Sequence, residues 1–544
     1  MANIVGMLRW VVSGVASHTW TLLVASLLLY VVWWVQHRRR QHSVFSKLGI
    51  PYITPHLIYG SNHVMRKPGA LATDIIGQWI QEYGKVFGFY VGWKPTLVVA
   101  DLDLIKQVLI KDFHNFSNRP ALVVRAHPVV DTVVGLRDQR WKDVRAILAP
   151  TFSMVKMKHM AGIMNEKIDE LNAIIGKKSA TGKPVELYST FQGLTLDVIS
   201  ECALAMKTNI QRDQDKDEFF VGVKGFLKNA INPAILLALY FPVFASVMSY
   251  VSNKLALSGR MTNMVVNHLK SVIEVRRKDL DTKYVDVLQL MLEAAESRQD
   301  TSAEGAATNG ASTPLPGKER SQHKLLTDDE IIANAWVFLL GGFETTANTL
   351  TYTTYLIATH PEVQERLYEE LCDVIKGDPD HLTYEQVKEL KYLDQVLSES
   401  LRLYPPVVTF ISRESAQDFK LGDMVIPKDM SIMVPIWQLH RDPEQWTDPE
   451  TFDPHRFSSD TKAAEARHPM AYIPFGAGPR NCPGMRFAQL EAKLTLARIL
   501  KSYRLETCES TPKQLTFIIP TVAINPKEGV YVKAVPRELT PKLS

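Results

Sequence analysis

The stretch Phe475-Gly-Ala-Gly478-Pro-Arg480-Asn-Cys482-Pro-Gly484 runs directly into an apolar, helix-periodic segment that begins at Met485. Three glycines and two prolines in ten residues demand a tight turn. A turn that feeds a helix leaves its cysteine beside a helix N-terminus, where partial positive charge favours the thiolate. An inert buried cysteine is the plainer reading of any lone Cys. Phe475, Gly478, Arg480 and Gly484 at fixed spacing around Cys482 set this one apart. Two other readings of the glycines fail: Asn481 stands where a dinucleotide fold needs its third glycine, and Gly341-Gly342 precedes no phosphate-loop lysine. No HExxH occurs.

Upstream lies a long helix. Thr327-Asp-Asp-Glu330 reads as a capping box, and Thr359-His-Pro-Glu362 as a second that starts the next helix, so about thirty residues end near Ala358. Such a helix, roughly 45 Å long, crosses a whole domain. Asn334 to Phe343 is apolar on nearly every face apart from Asn334, which puts it in the interior, where Gly341, Gly342, Glu344, Thr345 and Thr346 sit.

Most of the rest, from about 101 to 403, is helix-periodic, and strands are expected only locally, as at Val86 to Gly92 and Thr96 to Ala100. The fold class is mainly α with small β-sheets: a single large domain (56–544) behind an N-terminal transmembrane helix. Residues 297–324, rich in Gly, Ser, Thr and Pro, cannot build a core and are expected as a surface loop. From Trp10 to Gln36 there is no Asp, Glu, Lys or Arg. Residues 1–40 are therefore a membrane anchor, spanning about 10–36, with 41–55 as linker. His37-Arg38-Arg39-Arg40 follows the span and Arg9 alone precedes it, which places the large domain in the cytosol. The apolar stretch 234–251 either dips into the bilayer or forms a core helix pair.

A net charge of +4, from 62 basic and 58 acidic residues, gives no global case for nucleic acid. Cys202, Cys372, Cys482 and Cys508 include no CxxC pair, which excludes a disulfide framework or a zinc cluster.

The cysteine loop resembles the haem-binding loop FxxGxRxCxG of the cytochrome P-450 superfamily at every fixed position. Gly341-Gly342-Phe-Glu344-Thr345-Thr346 is similar to its oxygen-binding segment. Glu399-Ser-Leu-Arg402 with Arg456 resembles its buried Glu/Arg/Arg network, and Trp141-Lys-Asp-Val-Arg145 its WxxxR. The likeness runs from about Tyr83 to Val535 and is greatest to the microsomal family-3 enzymes of animals, which oxidise drugs, steroids and other lipophiles.

The resemblance implies a monooxygenase carrying haem (heme b), with Cys482 as the metal ligand. It makes Trp141, Arg145, Arg480 and Arg413 contacts of the haem propionates, with Phe475, Gly341 and Gly342 against the cofactor. Glu344 and Thr345 become the proton relay, in a groove that opens the helix at the glycines. Glu399, Arg402 and Arg456 become scaffold. Electrons come from NADPH through the flavins of NADPH-cytochrome P-450 reductase, with cytochrome b5 as a second donor. The place is the endoplasmic reticulum membrane and the substrate a lipophilic small molecule.

Residues 120–134 are expected as a lid, Val407 to Ile411 as an apolar wall, and Phe343 beside the oxygen groove. Arg137, Arg140, Lys142, Lys156 and Lys158 form either a reductase-docking patch or a solvated face. Asn115-Phe-Ser117 is a glycosylation sequon that stays bare on the cytosolic side. Pro483, lacking an N–H, withdraws one hydrogen bond from the sulfur and alters the redox poise. Two rival classes are a haem-thiolate isomerase or dehydratase acting on a peroxide, and a non-catalytic haem sensor. The Glu344-Thr345 pair argues against the first.

Overall fold

The computed structural model describes residues 2–65, 69–121, 123, 127–214, 216–228, 233–254, 259–279, 284, 286–296, 326–376, 381–461, 465–520 and 522–537. The expected surface loop at 297–324 lies outside them.

Helix α1 (Ala2–His42) carries its apolar surface outward: Leu22, Leu27, Leu28 and Leu29 are all exposed. The stretch from Trp20 on is long and apolar enough to cross a membrane, and its most apolar 18 residues are not buried against the protein. The helix continues past 36, because Arg39, Arg40 and His42 suit its negative C-terminal end. Within the expected linker, a short helix α2 (Val44–Leu48) buries Phe45 completely against the glycine at 88.

Four short strands make the main sheet. Strands β1 (Val86–Val91) and β2 (Lys94–Val99) form a hairpin, β3 (Ser412–Glu414) and β4 (Ser431–Met433) complete it, and the order is β1-β2-β4-β3. Pairing of β3 with β4 sets Arg413 opposite Ile432. Smaller sheets join Tyr531–Pro536 to Tyr503–Glu506 and Val185–Glu186, Asn525–Pro526 to Phe517–Ile518, and Phe419–Leu421 to Met424–Ile426.

The helical body includes α3 (Asp138–Leu148), α4 (Met154–Ala180), α5 (Leu187–Leu204), α6 (Pro233–Tyr240), α7 (Ala245–Lys254), α8 (Asp328–Thr359), α9 (Pro361–Val374), α10 (Lys391–Leu403) and α11 (Met485–Ser502). Helix α8 has 32 residues, about 48 Å. The Thr327 hydroxyl accepts the Glu330 N–H at 3.2 Å, and Glu330 Oε2 accepts the Thr327 N–H at 2.9 Å, closing the expected capping box. The second box does not form. The Thr359 hydroxyl turns back to the Tyr355 carbonyl at 3.0 Å, satisfying an acceptor of its own helix, and α9 starts from His360 with Pro361 in its first turn.

Helices α4, α5, α8 and α11 pack on one another around one apolar core. Contact between α5 and α8 is close because Gly342 has no side chain: a Cβ there would stand 2.9 Å from Ile199 Cδ1. The Thr195 hydroxyl donates to the Phe343 carbonyl at 2.9 Å across the same seam. Gly342 therefore serves helix packing rather than approach to a cofactor. Asn334, the polar exception in the apolar run, accepts the Val133 N–H at 2.8 Å and so ties the segment 127–134 to α8.

Candidate functional site

Cys482 stands on a turn that only glycine permits. Gly476 and Gly478 have φ of 75° and 71°, and a Cβ on Gly478 would strike the Leu109 carbonyl. The Cys482 N–H donates to the Phe475 carbonyl at 2.8 Å, closing the loop, and α11 begins three residues later. Burial pushes the thiol up, while the Gly484 N–H at the sulfur and the Arg145 and Arg119 cations pull it down. Pro483 offers the sulfur nothing, and Gly484 supplies a donor.

Four guanidinium groups gather, centred on Arg480, and two of them, Arg145 and Arg119, act on this thiol. Arg480 donates to the Ser117 carbonyl at 2.5 Å and to the Leu136 carbonyl at 2.9 Å, and lies 4.0 Å over the Trp141 ring. Arg145, one helical turn after Trp141 on α3, donates to Asn481 Oδ1 at 2.9 Å. Arg413 is 2% exposed on β3 and donates one bond, to the Ser412 carbonyl.

The fourth, Arg119, has no motif in the sequence. It is brought in because the Glu414 N–H donates to the Asn118 carbonyl at 2.9 Å, while the Asn118 side chain holds Asp138 at the start of α3. Phe410 lies 4.4 Å beneath it.

Three of the four cations are poorly compensated. Burial and mutual repulsion bring Arg480 down to about 8, Arg413 to about 9 and, mainly through burial, Arg119 to about 10. Arg480 Nη1, Arg413 Nε and Arg119 Nε are buried without a partner among the described residues. Unmet donors of this kind are costly unless an anion takes them. A group carrying two carboxylates fits this cradle, and the nearby thiol fits an iron ligand, so the residues present suit the haem that the resemblance implies.

Helix α8 is continuous through Gly341, so the glycines do not open it. Gly341 has nothing within 4 Å of a Cβ position, and the Thr345 hydroxyl donates back to the Gly341 carbonyl at 2.6 Å. Glu344 is 7% exposed; its Oε1 accepts from Tyr188 at 3.1 Å and Asn525 at 2.7 Å. Burial raises its carboxyl above the ordinary range against the pull of both donors. Acid and hydroxyl thus have separate partners. Phe343 is wholly buried and packs edge-on to Phe220.

Glu399 and Arg402 form a fully buried bidentate pair with both contacts at 2.7 Å. Arg402 also donates to the carbonyls of His440, Pro449 and Thr451, and Arg456 approaches Glu399 Oε1 at 3.4 Å. This ties α10 to the chain leading into the cysteine loop.

The basic residues proposed for docking divide. Arg137 pairs with Glu414, Arg140 with Glu330 and Lys158 with Glu385, while Lys142 lies exposed. Asn115 is 2% exposed and donates to Ser415 Oγ, so the folded chain has no room for a glycan there. In the stretch 234–251, Leu237, Val243, Phe244, Val247 and Tyr250 are exposed, and Phe241 stacks on Trp34 of α1 at 5.7 Å. It is not a core helix pair. All four cysteines are free.

The family model for cytochrome P450 matches residues 50–533. Cytochrome P450 3A29 of Sus scrofa is 33% identical over 537 residues, covering 97% of this chain and 99% of the relative. Cytochrome P450 3A7 of Homo sapiens is 33% identical, with 93% and 95% covered. Thromboxane-A synthase of Mus musculus is 34% identical, with 98% and 100% covered. The chain belongs to the cytochrome P450 family, whose haem iron is carried on a cysteine thiolate and whose general activity is monooxygenation.

Proposed function

We propose that this chain is a membrane-anchored monooxygenase that inserts one oxygen atom from dioxygen into a lipophilic small molecule, taking its electrons from NADPH through a flavoprotein reductase. Residues 1–40 act as the anchor and 56–544 as the catalytic domain, on the cytosolic face of the endoplasmic reticulum. The observation that carries the substrate class is the exposed apolar surface of α6, the Pro242–Phe244 turn and α7, packed against the end of α1. A lipophile dissolved in the bilayer meets that surface first.

Bound haem supplies the redox chemistry. Cys482 is its iron ligand, and the Gly484 N–H tempers the charge on sulfur. Arg119, Arg145, Arg413 and Arg480, with Trp141 stacked beneath Arg480, take its carboxylates. Glu344, whose carboxyl burial raises, is the acid of the relay, and the Thr345 hydroxyl passes a proton on when it leaves the Gly341 carbonyl. Val133, anchored by Asn334, and Val408 exclude water from the substrate side.

A second reading is rearrangement of a peroxide without outside electrons. It is favoured by one observation: Glu344 and Thr345 are bonded to different partners and form no relay as they stand. Incubation with NADPH, reductase and a panel of lipophiles decides between the two. Consumption of dioxygen in step with NADPH and product supports the monooxygenase; turnover of a hydroperoxide with no NADPH consumed supports the rearrangement.

A further inference from the structure

We propose that the groove between the C-terminal end of α1 and the Pro242–Phe244 turn binds the phosphate of an anionic phospholipid, held by the Arg38 guanidinium and the Trp93 indole N–H. The inference rests on α1 being a membrane span and goes beyond it, since a span by itself needs no particular headgroup.

The groove encloses about 380 Å³, and aromatic rings form its walls, Trp34 and Phe241 among them. Arg38 is 2% exposed, although it follows directly on an apolar run and has water within reach of a snorkelling side chain. It turns inward instead. Its Nη2 donates to the Tyr240 carbonyl at the end of α6 at 2.5 Å, and its guanidinium lies 5.1 Å from the Trp34 ring. Its Nη1 has no partner among the described residues, and neither has Trp93 Nε1, also buried. Among the described residues, no carboxylate lines the groove. A buried cation and a second buried donor, walled by rings and lacking a counter-charge, call for an anion with more than one acceptor oxygen.

Position selects the source of that anion. Val35 closes the apolar run, and Arg38 follows about 4.5 Å further along the axis, at the depth where lipid phosphates meet the hydrocarbon. The exposed Arg39 and Arg40 enrich anionic lipid at the same level. A choline headgroup would bring its own cation to a site that already holds one, so lipids of net negative charge are selected. The aromatic walls accommodate the glycerol and the first methylenes.

The test uses the full chain, purified with its haem in detergent micelles containing phosphatidylcholine with a minor share of phosphatidic acid, and counts retained lipid by native mass spectrometry. The wild-type protein is expected to keep one phosphatidic acid in preference to phosphatidylcholine. Arg38→Gln should lower that retention by about tenfold or more. Trp93→Phe, which leaves the charge in place and changes little volume, should lower it several-fold and keeps the test available if the first variant misfolds. Equal retention by wild type and Trp93→Phe overturns the proposal, as does displacement of phosphatidic acid by equimolar laurate, which would make the ligand a free fatty acid. Resistance of the full chain to alkaline extraction from vesicles reports the membrane span independently, and Arg38→Gln should leave it unchanged.

Discussion

The Arg480 guanidinium lies 4.0 Å above the Trp141 ring and within repulsive reach of Arg119, Arg413 and Arg145. A ring face compensates a cation only in part, so this cluster holds an electrostatic demand that the two carboxylates of a bound haem would answer. Arg119 is the member that no motif announces. Arg119→Ala is expected to weaken haem retention by about 1.5–3 kcal/mol, the usual worth of a charge-assisted hydrogen bond. Titrating extracted apoprotein with haem measures this, and Arg119→Lys should recover part of the loss. Affinity unchanged in Arg119→Ala would remove it from the site.

Glu399 and Arg402 are both 0% exposed and form a bidentate pair. Removing either takes the bidentate counter-charge from a buried ion, at a cost of about 3–5 kcal/mol. Glu399→Ala and Arg402→Ala are each expected to yield apoprotein, read from the ratio of Soret to protein absorbance. Normal haem content in either variant contradicts the scaffold role.

Glu491 on α11 is buried with both carboxyl oxygens unpartnered among the described residues, and desolvation holds its carboxyl well above the ordinary range. The folded chain therefore keeps a proton that the unfolded chain loses above the ordinary carboxylate range, so this group makes stability fall as pH rises from there. Glu491→Met should be more stable than wild type by about 1–3 kcal/mol near neutrality. The gap should shrink toward acid pH. Thermal unfolding at several pH values checks it, and a gap that widens toward acid reverses the assignment.

Gly484 supplies a backbone donor to the Cys482 sulfur, and Pro483 cannot. Pro483→Ile restores a second N–H beside the thiolate and is expected to raise the haem reduction potential by withdrawing charge from sulfur. Spectroelectrochemical titration measures the shift. Identical potentials would mean that the restored N–H does not reach the sulfur.

What was legible in the sequence is what local chemistry fixes. The glycines around Cys482 require their turn, Trp141 and Arg145 share a helix face by spacing, and Thr327 caps its helix through Glu330 as the pattern implies. What was not legible depends on chain-distant partners. Arg119 reaches the site through the pairing of Asn118 with Glu414, and Glu344 is held by Tyr188 and Asn525, which no local pattern connects to it. The Thr359 box failed for a local reason, because its hydroxyl found an acceptor in the preceding turn. The glycine pair suggests room for a cofactor, whereas the space at Gly342 belongs to Ile199.

The central claim is that the Cys482 thiolate binds the haem iron. Carbon monoxide added to the reduced, purified protein tests it most directly, with Cys482→His run alongside. The account predicts the strongly red-shifted Soret band of a thiolate-ligated carbonyl complex in the wild type, and its replacement by the band typical of imidazole ligation in the variant. A wild-type spectrum without that red shift, or a Cys482→His spectrum that retains it, would contradict the account.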